Sequence, residues 1–181
     1  MAATKHTIVA LVEDKPGVLN RIASLFRRRG FNIESIAVGS SEVPGLSRMT
    51  IVVDGTTTSI EQVRKQLDKV VDVVRVSDIT DVDIVARELA LIKVKATATT
   101  RSEIIQIVDI FRANIVDVGT DSVTVEVTGD EDKINSLCNL LRGFGIRELS
   151  RTGRIALTRG GSNPLQVEKE AAPTRTQKPK G

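Results

Sequence analysis

The feature that most constrains the fold of this chain is an order of strands and helices that occurs twice. In the first half, apolar runs rich in β-branched residues predict strands, and apolar stripes with helical spacing predict helices. The order is βαββαβ, with strands expected at 7–12, 32–38, 46–53 and 70–77, a helix at 18–29, and a second helix that is capped by Thr58 or Ser59 and ends at Leu67. The same order recurs from Leu89 at a spacing of about 80 residues, which indicates an internal structural repeat.

The second copy predicts the same architecture as the first. Its strands are expected at 89–96, 115–118, 122–127 and 146–157, and its helices at 101–112 and 130–141. A βαββαβ unit predicts a ferredoxin-like sandwich, in which both helices cover one face of an antiparallel four-stranded sheet. The predicted fold class is therefore α+β, with two ferredoxin-like βαββαβ sandwiches in one chain.

Domain boundaries follow from the places where this periodicity stops. The first domain is expected at residues 1–78 and the second at 89–160. The acidic, poorly periodic segment 79–88 between them is interpreted as a linker. Residues 161–181 lose apolar periodicity and gain Pro and charge, so we expect a disordered tail there.

Composition excludes several classes of function. The 26 Lys and Arg residues against 23 Asp and Glu give a net charge of +3, which is too small to indicate a polyanionic partner, and aromatic residues make up only 2% of the chain. A single Cys and a single His exclude a disulfide framework and clustered Cys or His metal sites. No apolar run reaches membrane length. We therefore expect a cytoplasmic protein that binds neither nucleic acid nor membrane and carries no metal or cofactor of its own.

The stretch L-V-E-D-K-P-G-V-L, residues 11–19, joins an apolar strand to an apolar helix through a very short turn. The N–H groups of a first helical turn attract anions, and Gly17 has no side chain to block a ligand that approaches them. Asp14 adds an acceptor for a cation, and Asn32, at the start of the neighbouring strand, can both donate and accept. A carboxylate at the amides of Gly17 to Leu19 and an ammonium at Asp14 together describe a free amino acid.

The same residues also have a purely structural interpretation. Asp14 would then cap the helix, Pro16-Gly17 would form a turn, and Asn32 would begin a strand. The second copy offers an internal comparison, because its corresponding stretch T-A-T-T-R-S-E-I has Ser and Thr but neither Gly nor Pro. A simple cap is thus sufficient to begin such a helix, which favours the first copy as the ligand site.

Three strings in the first half resemble one protein family. They are E-D-K-P-G-V-L at 13–19, R-G-F-N-I-E-S at 29–35 and L-S-R-M-T-I at 46–51. Their order and spacing are similar to those of the regulatory small subunit of acetohydroxyacid synthase, also called acetolactate synthase, and the resemblance extends over residues 5 to 159. It implies an N-terminal ACT domain, which binds an effector, followed by a C-terminal ferredoxin-like domain.

The resemblance also implies partners and a binding site. It implies a non-catalytic subunit that forms a homodimer through its ACT domains, activates the catalytic large subunit, and leaves thiamine diphosphate, Mg and FAD to that subunit. Valine, or another branched-chain amino acid, would bind between facing ACT domains and impose feedback inhibition in valine, leucine and isoleucine biosynthesis. Some members of the family have Asn at the position of Asp14. The site residues that the resemblance implies are Asp14, Gly17, Val18, Leu19, Asn32 and Ile33.

Other interpretations of the sequence are a stand-alone amino-acid sensor, a nucleic-acid-binding protein and an enzyme of the acylphosphatase type. Nucleic-acid binding would need exposed aromatic residues on central strands, whereas the four Phe lie on predicted helices or where strands begin. An acylphosphatase would need an anion-binding loop with a converging Arg, and no such loop is evident.

Glu13 and Asp14 are adjacent on a strand and point to opposite faces, so they cannot act together as acid and base. Arg48, on the third strand, either contacts the catalytic subunit or faces water.

Overall fold

The computed structural model describes residues 5–54 and 60–167 of the chain. The first domain consists of β1 Lys5–Glu13, α1 Val18–Arg29, β2 Ile33–Ser40, β3 Leu46–Asp54, α2 Ile60–Leu67 and β4 Val73–Asp78. The second consists of β5 Ile84–Lys95, α3 Arg101–Ile110, β6 Asn114–Val118, β7 Ser122–Gly129, α4 Glu131–Arg142, β8 Ile146–Arg151 and β9 Ile155–Thr158. The α+β class and both βαββαβ units are confirmed, while the predicted cap of α2 at Thr58 or Ser59 lies outside the described residues.

Both sheets are antiparallel and have the same strand order. The first is β2-β3-β1-β4 and the second is β6-β7-β5-β8, with β9 added to β5. β1 pairs with β3 along its whole length, from Lys5 opposite Asp54 to Glu13 opposite Leu46. β2 lies at the edge of the first sheet, and an edge strand presents a row of backbone N–H and C=O groups that can pair with another strand.

Each domain buries one face of its sheet beneath its two helices. Alternate residues of the central strand point towards the helices, as the period of two predicts. The core of the first domain includes Ile8, Ala10, Ile22, Phe26, Met49, Ile51, Val63 and Leu67, and that of the second includes Ile92, Val94, Ile104, Val108, Val125, Ile134 and Leu137. None of the helices within residues 5–54 and 60–167 is long and apolar enough to cross a membrane.

The structure corrects the prediction of one long strand at 146–157. This segment forms two strands, β8 and β9, which are separated by residues 152–154. β8 pairs with the second half of β5, whereas β9 pairs with its first half. The chain turns towards the first domain between them, because the N–H of Arg154 donates to Ser35 Oγ on β2 at 2.9 Å.

The strand β5 is longer than the sequence indicates. Residues 79–88 are predicted as a linker, yet β5 begins within them, at Ile84. Ile84 and Ala86, two residues apart on the strand, both pack against a buried cluster. The charged residues Arg87 and Glu88 follow directly, so the apolar alternation of a strand is not recognisable in the sequence. The connection between the domains is therefore shorter than predicted.

A third apolar cluster lies between the two domains. Val9 and Leu11, on the face of the first sheet opposite its helices, pack with Ile79, Ala156 and Leu165. The strands β5 and β9 thus cover much of this face. Leu165 is only 1% exposed, so the segment predicted as a disordered tail contains a packed residue near its start, and residues 168–181 lie outside the described ranges.

A network of charged side chains also joins the domains. Lys5 Nζ lies 2.5 Å from Glu34 Oε1 on β2 and 2.6 Å from Glu131 Oε1 in the first turn of α4. Arg154 Nη2 lies 2.7 Å from Glu131 Oε2, and its Nε lies 3.7 Å from Glu88 Oε1. The hydrogen bond to Lys5 holds the pKa of the Glu131 carboxyl below its usual range, and the hydrogen bonds to Glu131 and Glu34 raise the pKa of Lys5.

Candidate functional site

The turn between β1 and α1 has a glycine where the backbone requires one. Gly17 is the N-cap residue of α1 and has φ of 89° and ψ of −10°, in the left-handed region. A residue with a side chain adopts this conformation at a cost of about 1–2 kcal/mol. Within the described residues no side chain caps α1, so the structural interpretation of Asp14 as a helix cap is wrong.

Two backbone N–H groups in the first turn of α1 are open to a ligand. The first helical hydrogen bond runs from the N–H of Arg21 to the C=O of Gly17, at 3.0 Å. The amides of Leu19 and Asn20, just before it, have no acceptor within the part of the chain that the structure describes. Free N–H groups at the positive end of a helix form a site for a carboxylate.

The predicted site residues Val18 and Leu19 differ in what they can offer a ligand. The side chain of Val18 is 5% exposed and belongs to the core of the first domain. Leu19, the next residue in the first turn of α1, is 50% exposed. Val18 therefore contributes to the framework of the turn, while Leu19 adds an apolar surface beside the free amides.

Asp14 carries an exposed carboxylate beside this turn. Its N–H donates to the C=O of Gly45 at 2.9 Å, which fixes the backbone, but its carboxylate has no hydrogen bond or ion pair among the described residues. The neighbouring charges behave differently, because Lys15 Nζ lies 2.7 Å from Glu13 Oε2 and this hydrogen bond raises the pKa of Lys15. Asp14 thus remains available to a cation, as predicted for an ammonium.

An ion pair that was not predicted from the sequence joins α1 to the segment just before β4. Asp72, just before β4, is 7% exposed and is paired with the guanidinium of Arg21 in the first turn of α1. The C=O of Asp72 also accepts from the N–H of Glu13 at 2.9 Å. The available signal was the single acid within the apolar run V-V-D-V-V, which indicates a buried carboxylate with a partner.

The remaining predicted site residues, Asn32 and Ile33, lie at the other end of the first sheet. β2 runs from Ile33 to Ser40, and its Ser40 end is the one next to the β1–α1 turn. An eight-residue strand spans about 26 Å. One chain therefore does not bring Asn32 and Ile33 together with the turn. Asn32 is exposed, and Ile33 packs partly against the core.

The corresponding turn of the second domain is built from different side chains. Thr100 is the N-cap of α3 with φ of −98°, and the N–H of Thr97 donates to Thr100 Oγ1 at 3.0 Å. The guanidinium of Arg101 bonds the C=O groups of Gly119 and Thr120 at 2.8 and 3.0 Å. Arg101 Nε is nevertheless buried without a partner, and the amides of Ser102 and Glu103 have no acceptor among the described residues. That the first copy is the better ligand site therefore stays a prediction, which rests on Gly17 and Asp14.

Two family models match the chain, and together they cover most of both domains. A model described as the AHAS small subunit-like ACT domain matches residues 8–75, and one described as the small subunit of acetolactate synthase matches residues 87–160. A probable acetolactate synthase small subunit of Archaeoglobus fulgidus is 57% identical over 86% of this chain and 98% of its own length. The chain belongs to the acetolactate synthase small subunit family.

Further relatives in the acetolactate synthase small subunit family agree in sequence and in structure. The acetolactate synthase small subunit of Mycobacterium bovis is 52% identical over 88% of this chain and 95% of its own length. The crystal structure of the small subunit from Thermotoga maritima superimposes with a TM-score of 0.80 at 44% identity, covering 87% of this chain and 99% of that one. The resemblance carried by the three strings of the first domain is thus confirmed, and this chain is a regulatory rather than a catalytic subunit.

Proposed function

We propose that this chain senses valine through its ACT domain, activates the catalytic subunit of acetolactate synthase, and imposes feedback inhibition on it. The observation that carries the proposal is the β1–α1 turn, where two free N–H groups and a free carboxylate lie beside an exposed apolar side chain. A zwitterion with a small branched side chain matches these three features. Its carboxylate would accept from the amides of Leu19 and Asn20, its ammonium would contact Asp14, and its isopropyl group would contact Leu19.

The proposed site is completed by a second chain. Two copies of the edge strand β2 that pair across a two-fold axis run antiparallel. The start of one β2 then lies beside the end of the other, which neighbours the β1–α1 turn. This arrangement brings Asn32 and Ile33 of the partner subunit to Asp14 and Gly17. It accounts for site residues at opposite ends of one sheet, because each effector would contact both chains.

Inhibition requires that valine bind one arrangement of the complex more tightly than the other. A difference of roughly 1–3 kcal/mol between the two affinities gives the usual range of allosteric effect. In this chain, Glu34 directly follows Ile33 and is bound through Lys5 to Glu131 of the second domain. A shift of β2 on effector binding would therefore act on α4 through these ion pairs.

The reaction itself belongs to the catalytic subunit in this proposal. Thiamine diphosphate, Mg and FAD would be held there, and this chain would carry none of them. Within residues 5–54 and 60–167, no His, Cys, Asp and Glu side chains are grouped to hold a metal ion. Regulation is then a matter of contacts between subunits and of effector binding.

The proposal is tested by titration calorimetry with valine, with leucine, isoleucine and serine for comparison, and by activity assays of the catalytic subunit with this chain added. Asn32→Ala should abolish valine binding and inhibition but retain activation. Asn114→Ala, at the equivalent strand start of the second domain, is the matched control and should change neither. Unaltered valine inhibition in Asn32→Ala would refute the assigned site, and no effect of this chain on the catalytic subunit would refute the proposed function.

A further inference from the structure

A cavity of about 370 Å³ lies on the face of the first sheet that points away from its helices. Its floor is formed by β2 and β3, and its wall by β5 and β9. A volume of this size suits a small ligand, since ligand pockets typically measure about 300–1,000 Å³. The cavity is on the opposite face of the sheet from α1, and so differs from the site assigned to valine.

The strand register explains why this face is open. On this face, neighbouring residues of β1, β3 and β2 form rows across the sheet. One row is Leu11, Arg48 and Gly39, and the next is Val9, Thr50 and Ala37. Leu11 and Val9 are covered by the contact between the domains. Gly39 and Ala37 offer almost no side chain, and a Cβ on Gly39 would meet nothing within 4 Å. The edge strand therefore leaves a hollow beside Arg48.

Arg48 is the chemically unusual group of this cavity. Its Nε is buried and has no hydrogen-bond partner, and within the described residues its guanidinium forms no ion pair. The described lining residues include no Asp or Glu but do include a second guanidinium, that of Arg87, which bonds the C=O of Ala86 at 2.7 Å. A buried donor without an acceptor is costly, and such groups in folded proteins usually have an anion, a water or a ligand as partner.

We propose that this cavity binds a small aliphatic carboxylate without an ammonium group. Its carboxylate accepts hydrogen bonds from Arg48, with the hydroxyl of Thr50 beside it, and its hydrocarbon part contacts Val85 and Ile155. Ile155 is 61% exposed and Val85 37%, so that both gain from being covered. An α-amino acid is disfavoured here, because the described lining offers no carboxylate to an ammonium.

The selectivity follows from charge and is opposite to that of the valine site. The β1–α1 turn presents one carboxylate together with free amides, and so matches a zwitterion. The cavity presents two guanidinium groups among aliphatic side chains, and so matches an anion with an apolar body. A 2-oxo acid or a simple branched carboxylate has this chemistry. The inference does not depend on valine binding.

The test uses the full chain and 3-methylbutanoate as the probe, with 3-methylbutan-1-ol as the uncharged comparison of the same shape. Binding is followed by the backbone amide shifts of Ala37, Gly39 and Thr50 in nuclear magnetic resonance spectra, with and without saturating valine. The carboxylate should shift these amides saturably in both conditions, while the alcohol should bind at least about tenfold more weakly. No saturable shift with the carboxylate, or equal binding of the alcohol, would overturn the proposal.

Two variants remove different parts of the site. Arg48→Met keeps an unbranched apolar stem but removes the guanidinium, and it should weaken binding of the carboxylate at least about tenfold. Gly39→Leu fills the hollow and should abolish binding, whereas Arg28→Met, on the exposed end of α1, should bind like the wild type. Melting curves establish that each variant is folded. Unchanged affinity in both Arg48→Met and Gly39→Leu would overturn the proposal.

Discussion

Gly153 lies directly against the backbone of Ile36. A Cβ built on Gly153 would fall 2.4 Å from the carbonyl oxygen of Ile36 and 2.7 Å from its carbonyl carbon, much closer than such atoms can approach. The next residue, Arg154, donates its N–H to Ser35 Oγ at 2.9 Å. The turn between β8 and β9 therefore packs against β2, the strand on which the proposed dimer depends.

Replacement of this glycine should loosen the contact between the domains. In Gly153→Ala, no flexible side chain can move aside to make room for the new methyl group, because the two atoms nearest to it belong to the backbone of β2. Overpacking of this kind costs about 1–3 kcal/mol, and about 2–4 °C of melting temperature is lost per kcal/mol in a chain of this size. Calorimetric melting should therefore show a clear decrease. Gly161→Ala, where a Cβ meets nothing within 4 Å, should melt like the wild type, and equal melting of both variants would contradict the packing described.

Leu165 should contribute to stability although it lies in a segment that looks like a tail. Leu165→Ala removes a fully buried side chain from the cluster that joins the domains and should cost about 2–5 kcal/mol. Val167→Ala, two residues further on, alters a side chain that is 38% exposed and should have little effect. Urea unfolding of the two variants provides the comparison. A Leu165→Ala variant as stable as the wild type would mean that the cluster does not hold residues 161–167.

The ion pairs between the domains should make stability depend on pH. The hydrogen bond to Lys5 holds the pKa of Glu131 below its ordinary value of 4.5 in the folded chain. The stability that this pair contributes is therefore present above about pH 4.5 and is lost as the pH falls through the folded pKa. The pKa of Lys5 is raised above 10.5, so its contribution is present below pH 10.5 and is lost as the pH rises through the folded pKa.

The measurement is the free energy of unfolding between pH 3 and pH 8, for the wild type and for Glu131→Gln. The difference between them should be largest near neutral pH and should shrink towards pH 3. Glu103→Gln, in the first turn of α3, has an exposed carboxylate and serves as the control for general effects of charge. A difference that stays constant across this range would contradict the role assigned to Glu131.

The charge of Asp14 should matter for effector binding and little for folding. Asp14→Asn leaves an acceptor for the ammonium of valine but removes an exposed negative charge, and exposed ion pairs are worth about 0.2–1 kcal/mol. Valine should therefore bind about 1.5- to 5-fold more weakly, with a weaker dependence on salt. Glu13→Gln alters the adjacent carboxylate, which is paired with Lys15, and should bind valine like the wild type. If Asp14→Asn and Glu13→Gln bound valine with the same affinity, Asp14 would be excluded from the site.

Local patterns in the sequence predicted much of the fold and the turn of the candidate site. Gly17 could be singled out because Pro-Gly between two apolar runs requires a special backbone, and the structure gives this residue a positive φ. The division of 146–157 into β8 and β9 depends instead on a contact with Ser35, far away in sequence. Leu165 stands alone among polar residues, so no period could indicate its burial. Arg48 is unpaired among the described residues because its neighbours on β1 and β2, Leu11 and Gly39, have no acceptor in their side chains. The sequence of β3 alone does not show which residues these neighbours are.

The central claim is that valine binds a site made from two chains, and a mixing experiment tests it most directly. Chains with Gly17→Asp and chains with Asn32→Ala should each form dimers that bind no valine. Mixed one to one and allowed to exchange, half of the dimers carry one of each chain and regain one intact site, which restores about a quarter of wild-type binding capacity in calorimetric titration. No recovery of binding in the mixture would contradict a site shared between chains.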